Sequence, residues 1–261
     1  SIGISLLSPE NLNANIFIKE ADIAMYEVKS KGRDGVILFN DELSQRVESH
    51  LKIEQNLHFA LEKDEIYLHY QPQLNLDEKI VGCEVLVRWN NEELGLVSPD
   101  VFIPIAEQTG FMIELGAYIL EEAFKTFKSW NERGIVLEQF SINVSMRQFF
   151  YYTFIQDVSR LCQKYLNEEL QKKIIFEMTE TLLAEDISRV GSIMQSIKQD
   201  VGIRFSMDDF GTGYSSLSYL QKMPIEELKI DRLFISEMTK SESNRQIVLI
   251  ILAMAKTFGL K

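Results

Sequence analysis

From Ile66 onward, two hydrophobic periods alternate along the chain. Short runs rich in β-branched and aromatic residues fall near 66–71, 80–89, 138–144, 173–178, 203–208 and 226–231 and read as strands. Apolar residues at helical spacing predict helices near 99–108, 111–133, 151–167, 186–200 and 242–259. A strand–helix alternation of this kind predicts a largely parallel sheet with helices outside it, as an α/β barrel or an open doubly wound sheet. Polar residues at the strand ends favour the barrel, because its active site gathers the carboxyl ends of many strands.

The first residues follow another pattern. Residues 1–40 read as a strand Ile2–Leu6, a loop with Pro9, a helix from about Ile16 to Lys29, the turn Lys31-Gly32-Arg33-Asp34-Gly35 and a strand Val36–Phe39. Two strands and a helix cannot cover both faces of a sheet, and pieces below about 40 residues normally need a partner, a metal or disulfides. This segment therefore reads as the end of a different domain. From Asp41 to about Lys63, Leu43, Val47, Leu51, Glu54, Leu57 and Leu61 recur at helical spacing and predict an amphipathic connecting helix.

Composition narrows the function. With 261 residues, 46% hydrophobic and 25% charged, the chain is of ordinary globular make-up. Its 39 acidic against 27 basic residues give a net charge of −12, which argues against a DNA or RNA polymer or an anionic lipid surface as partner. A nucleotide substrate would need metal ions to approach it. There is no apolar run of about 18 residues and no signal-peptide pattern at the first residues, so no membrane segment is expected. Cys83 and Cys162 have no CxxC partner, which points away from a disulfide framework and towards a reducing cytoplasm. His50, His58 and His69 are unclustered and read as structural.

The chemistry lies at the strand ends. Phe205-Ser206-Met207-Asp208-Asp209-Phe210-Gly211-Thr212-Gly213 runs an apolar strand into two adjacent carboxylates. Side chains alternate along a strand, so two neighbouring Asp converge only where the strand ends, and Gly211 and Gly213 are read as supplying that turn. The same alternation puts Glu84 with Arg88, Ser141 with Asn143, Glu177 with Thr179, and Lys229 with Asp231 on common faces, opposite apolar partners. Burying so many ionisable groups without a use would be costly. Glu84, Asn143, Glu177 and Asp208 form an oxygen set suited to Mg²⁺ or Mn²⁺, and Asp209 is positioned for a second ion. Lys229 is a candidate for orienting water, with Arg88 and Gln71 as donors to a phosphate or a base edge. Singly, each has an ordinary use: Arg88 in a strand-end ion pair, Lys229 paired to Asp231, Asn143 in a strand-to-helix turn, Gln71 as a loop amide before Pro72.

Taken together, Tyr70-Gln71-Pro72, Glu84-Val85-Leu86-Val87-Arg88-Trp89, Ser141-Ile142-Asn143-Val144-Ser145, Phe176-Glu177-Met178-Thr179-Glu180, the Asp208–Leu217 segment and Leu228-Lys229-Ile230-Asp231 resemble the EAL family over about residues 45–261. The resemblance implies a modified (β/α)8 TIM-type barrel and hydrolysis of cyclic di-GMP to linear pGpG. By the same resemblance, Glu84, Asn143, Glu177 and Asp208 hold a first metal and Asp209 a second, both Mg²⁺ or Mn²⁺. Lys229 acts on the hydrolytic water, while Gln71, Arg88 and Asp231 contact substrate. Glu-Val-Leu replaces the family's Glu-Ala-Leu, an apolar exchange on the face opposite Glu84. The Asp208–Leu217 loop is linked in the family to metal binding and dimer contacts, so a homodimer is expected.

Residues 1–40, with Ala21-Asp22-Ile23-Ala24-Met25-Tyr26 and Lys31-Gly32-Arg33-Asp34, resemble the C-terminal end of a GGDEF domain without its cyclase signature. The expected organisation is a GGDEF remnant at 1–40, a connecting helix at 41–63 and an EAL domain at 64–261, in a parent with an upstream GGDEF or sensor domain and a possible membrane tether there. The strand pattern supplies six of the eight barrel strands, and the family's last two, with a further metal-ligand Glu and a Gln, are expected beyond Lys261. Two other functions compete with the hydrolase: a receptor that binds cyclic di-GMP without cleaving it, and another oxygen-ligated metallohydrolase on the same barrel.

Overall fold

A computed structural model of the chain describes residues 1–6, 13–30, 34–180, 186–211, 220 and 222–261. In chain order the first elements are β1 (Ile2–Ile4), α1 (Ala14–Ser30), β2 (Val36–Leu38), α2 (Asp41–Leu57), β3 (Ile66–Leu74), β4 (Ile80–Asn91), β5 (Gly95–Val97), α3 (Pro99–Thr109) and α4 (Met112–Glu132). Then come β6 (Gln139–Asn143), α5 (Met146–Phe149), α6 (Phe154–Tyr165), α7 (Glu168–Gln171), β7 (Ile174–Thr179), α8 (Ile187–Val201), β8 (Arg204–Phe210), β9 (Glu227–Ile230), α9 (Arg232–Glu237) and α10 (Glu242–Phe258). They form two compact units, Ser1–Glu65 with Trp89–Thr109, and Ile66–Arg88 with Gly110–Lys261.

In the first unit β1 and β2 pair in parallel, Ile2 opposite Val36 and Ile4 opposite Leu38. The buried residues Ala24, Leu43 and Val47 join α1 to α2, with Ile37 and Phe39 packed against them. Helix α2 starts at Asn40, whose side chain accepts the Leu43 N–H at 2.8 Å, and Asp41 and Glu42 in its first turn complement the positive end of the helix dipole. The stripe expected on this helix is buried at Leu43, Val47 and Leu57, whereas Leu51 is exposed. The Glu65 carboxylate accepts hydrogen bonds from Trp89 Nε1 at 2.9 Å and Asn91 Nδ2 at 2.9 Å, satisfying two buried donors of this unit.

The main sheet has the strand order β3-β4-β6-β7-β8-β9, with β5 pairing antiparallel to the end of β4. From β4 to β9 every adjacent pair on this path is parallel. The six strands expected from sequence are the six on this path. Strands buried on both faces read as continuous apolar runs, as Ile174–Met178 in β7 does, with Glu177 as the polar interruption. Helix α4 buries Leu115, Ile119, Ala123, Phe124 and Phe127 along one face. Phe127 stacks on Phe140 of β6 at 4.5 Å between ring centroids. The elements absent from the sequence reading, β5, α5, α7 and α9, are each too short to show a period.

Candidate active site

Because the central strands are parallel, their carboxyl ends lie at one edge of the sheet, and register decides which side chains meet there. Asn143 lies opposite Glu177, Glu177 opposite Ser206, and Thr179 opposite Asp208. One carboxylate oxygen each from Glu84, Glu177 and Asp208 lies within 4.8 Å of the other two. The Lys229 ammonium reaches all three: it donates to Glu177 Oε2 at 2.5 Å, Asp208 Oδ2 at 3.0 Å and Glu84 Oε2 at 3.1 Å. Asn143 Nδ2 donates to Glu84 Oε1 at 2.9 Å.

The electrostatics follow from burial. The Glu177 side chain is 0% exposed, and burial pushes its carboxyl up to about 7. Lys229 opposes that rise, whereas Glu84 and Asp208 add to it. For Lys229, burial favours the neutral amine, but the charges of Glu177, Asp208 and Glu84 outweigh it and hold the ammonium above its ordinary range. One ammonium against three carboxylates leaves the cluster short of positive charge. Glu177 Oε1 is buried and has no hydrogen-bond partner among the described residues. An all-oxygen donor set, an orphaned carboxylate oxygen and a deficit of positive charge all fit a hard divalent cation, with Lys229 Nζ standing where cationic charge is needed.

The second aspartate is placed differently from the sequence expectation: Asp209 is exposed and lies outside the cluster of Glu84, Glu177 and Asp208. Strand β8 does not stop at Asp208; it continues to Phe210 and still pairs with β9. Between the pairs Met207–Leu228 and Phe210–Ile230, β8 advances three residues while β9 advances two, so β8 carries a bulge. Asp209 adopts φ +53 in that bulge, a left-handed conformation that Asp tolerates better than most residues, and its N–H donates to Asp208 Oδ1 at 3.0 Å. The bulge, rather than a strand end, re-aims the second carboxylate. Gly211 follows with φ +103, while Gly213 and the rest of the 212–219 loop, on which the dimer expectation rests, lie outside the described residues.

Asp231 is the N-cap of α9, accepting the Leu233 N–H at 2.6 Å, and its carboxyl hydrogen-bonds Asp209. Burial, then Asp208 and Asp231, raise the Asp209 carboxyl above its ordinary value. Two carboxyls in contact again mark a place short of positive charge. Lys229 forms no ion pair with Asp231 among the described residues, being engaged by the acidic cluster. Arg88 is half-buried and donates to its neighbour's carbonyl, Val87 O, at 2.8 Å, without an ion pair among the described residues. Gln71 is exposed on β3, and neither it nor Arg88 belongs to the acidic cluster.

Sequence reasoning passed over Glu180. It is buried, and its Oε2 accepts the Gly211 N–H at 3.2 Å. Its signal was a second carboxylate three residues after Glu177, just past the end of β7.

Residues 54–261 match the family model described as EAL domain. The chain belongs to the EAL domain family. This EAL chain is 34% identical over 262 residues to the bifunctional diguanylate cyclase/cyclic di-GMP phosphodiesterase MucR of Pseudomonas aeruginosa, and 35% identical over 261 residues to the cyclic di-GMP phosphodiesterase PdeR of Escherichia coli. All of the chain is matched in both cases, but it spans only 38% and 39% of those proteins. A structure of the PaMucR phosphodiesterase in complex with c-di-GMP superposes with a TM-score of 0.76 at 34% identity, covering 80% of this chain and 84% of that one. The α/β fold of TIM-barrel type is therefore that of the EAL domain. No helix among the described residues is long and apolar enough to cross a membrane.

Proposed function

We propose that this EAL domain hydrolyses cyclic di-GMP to linear pGpG. Water adds across one phosphodiester: its oxygen bonds phosphorus, the P–O3′ bond breaks, and the leaving 3′ oxygen takes up a proton. The observation that carries this reading is the convergence of Glu84, Glu177, Asp208 and Lys229 from four strands onto one point.

Glu84, Asn143, Glu177 and Asp208 would hold one divalent ion, and Asp209 a second, with Mg²⁺ or Mn²⁺ favoured by the all-oxygen set. Bound there, the ions would lower the pKa of water and offset charge on the phosphate. Lys229, already within hydrogen-bond distance of three carboxylates, would orient that water and keep its proton at Nζ. Asn143 holds the Glu84 carboxylate in place through its 2.9 Å bond. Arg88, Gln71 and Asp231 would contact substrate, Arg88 by charge and the other two through base or ribose polar groups. With a net charge of −12 the chain repels an anionic dinucleotide, and bound metal ions would offset that repulsion.

The same reading takes residues 1–40 as the end of a GGDEF domain, 41–63 as the connecting helix and 64–261 as the EAL domain of a homodimeric, cytoplasmic signalling protein. Its test is chromatographic. The whole protein that carries this EAL domain and its Glu84→Ala variant are incubated with cyclic di-GMP and Mn²⁺ or Mg²⁺, and pGpG is quantified. Product from the unaltered protein, reduced at least about 100-fold in the variant, is expected. Retained binding of cyclic di-GMP with no product from either protein would replace the hydrolase by a receptor.

A further inference from the structure

The bulge in β8 is held from a direction that the metal ligands do not supply. Asp209 at φ +53 and Gly211 at φ +103 flank Phe210, so two left-handed residues sit within three positions of the strand end. A left-handed non-glycine residue costs about 1–2 kcal/mol and persists only where its surroundings over-determine it.

Two contacts provide that. Glu180 Oε2 accepts the Gly211 N–H from one side. On the Cα face, a Cβ at Gly211 would lie 2.9 Å from Phe234 Cε2, 3.3 Å from Ile251 Cδ1 and 3.4 Å from Phe234 Cζ. The Phe234 ring thus fills the space that a side chain at residue 211 would need, and would have to shift to admit one.

Phe234 comes from α9, the helix capped by Asp231, and Phe234 N–H donates to Asp231 O at 3.1 Å. One turn of that helix therefore meets the bulge twice, with Asp231 at the Asp209 carboxyl and Phe234 at Gly211. Helix α9 has little else to bury: Leu233 is 67% exposed and Ile235 is 44% exposed. Phe234 is half-buried and is the apolar side chain by which this short helix, packed beside α10, meets the bulge.

We infer that Phe234 is a positioning residue: by packing on Gly211 it locks the β8 bulge and seats the Asp231 cap, and so sets the placement of the Asp209 carboxylate for a divalent ion. The ring packs on Gly211 and would act on the ion through Asp209. The inference rests on the metal reading of the preceding section.

Mn²⁺ binding tests it without recourse to turnover. Free Mn²⁺ is followed by its electron paramagnetic resonance signal as the 261-residue chain and its Phe234→Ala, Phe234→Leu and Leu233→Ala variants are added. Phe234→Ala is expected to weaken Mn²⁺ binding about tenfold, as losses behind a ligand commonly do. Phe234→Leu should recover most of that loss, and the exposed Leu233→Ala should leave binding unchanged. In an Asp209→Asn background, Phe234→Ala should add little, because both changes act on one carboxylate.

If the chain binds Mn²⁺ and Phe234→Ala binds it equally well, Phe234 has no positioning role while the metal reading stands. The inference also fails if Phe234→Ala has its full effect on top of Asp209→Asn. Absence of Mn²⁺ binding by the unaltered chain would overturn the metal reading, and this inference with it.

Discussion

Lys229 Nζ and Glu177 Oε2 meet at 2.5 Å across the intervening strand β8, the glutamate fully buried and the lysine 24% exposed. Removing one partner of such a pair leaves an uncompensated buried charge and commonly costs about 3–5 kcal/mol. Lys229→Met should therefore destabilise the metal-free protein by about that amount. It should also gain more from Mn²⁺ than the unaltered protein does, since three carboxylates then lack their ammonium. Thermal melts of both proteins with and without Mn²⁺ check this, and equal increments in Tm would contradict it.

Chelation should silence the site reversibly. Turnover of cyclic di-GMP should stop in EDTA and return with Mn²⁺ or Mg²⁺. Glu177→Gln, which keeps the shape of the residue but loses its charge, should need at least about tenfold more metal to reach half its own maximal rate. Zinc or no metal restoring full activity would count against the hard-oxygen set.

A surface network gives a pH signature away from the site. The Tyr165 hydroxyl at 2.6 Å and the Lys164 ammonium at 2.9 Å hold the Glu121 carboxyl down to about 2, against the opposing effect of burial. A carboxyl depressed on folding contributes stability above its unfolded value of about 4.5 and loses it as pH falls towards 2. Because Glu121 is one-third exposed, the contribution should be below about 1 kcal/mol. The gap in urea midpoint between the unaltered protein and Glu121→Gln should be present at pH 7 and shrink between pH 4.5 and 2.5.

Both cysteines should be silent in the native protein. Cys83 and Cys162 are buried free thiols whose pKa burial pushes up to about 12, so little thiolate is available at neutral pH. A chromogenic disulfide reagent should react with neither until denaturant is added, and then with both. Rapid reaction without denaturant would contradict the packing around β4 and α6.

Much of this protein is determined by local sequence. The period-2 runs with apolar partners locate β3, β4, β6, β7, β8 and β9, and the 3.6-residue stripes locate α4 and α8, because one buried face imposes a repeat on any element long enough to show it. The short α9 escaped for that reason, and with it Phe234, whose use lies in a contact with Gly211 that no periodicity records. Parity along each strand likewise put Glu84, Asn143, Glu177, Asp208 and Lys229 on the polar side. It could not say that Lys229 would span β8 to reach Glu177, nor that Asp209 would be turned by a bulge instead of a strand end. Those depend on the register between strands distant in the chain. Register is set only when the sheet assembles, and a shift of one residue would send each of these side chains to the opposite face.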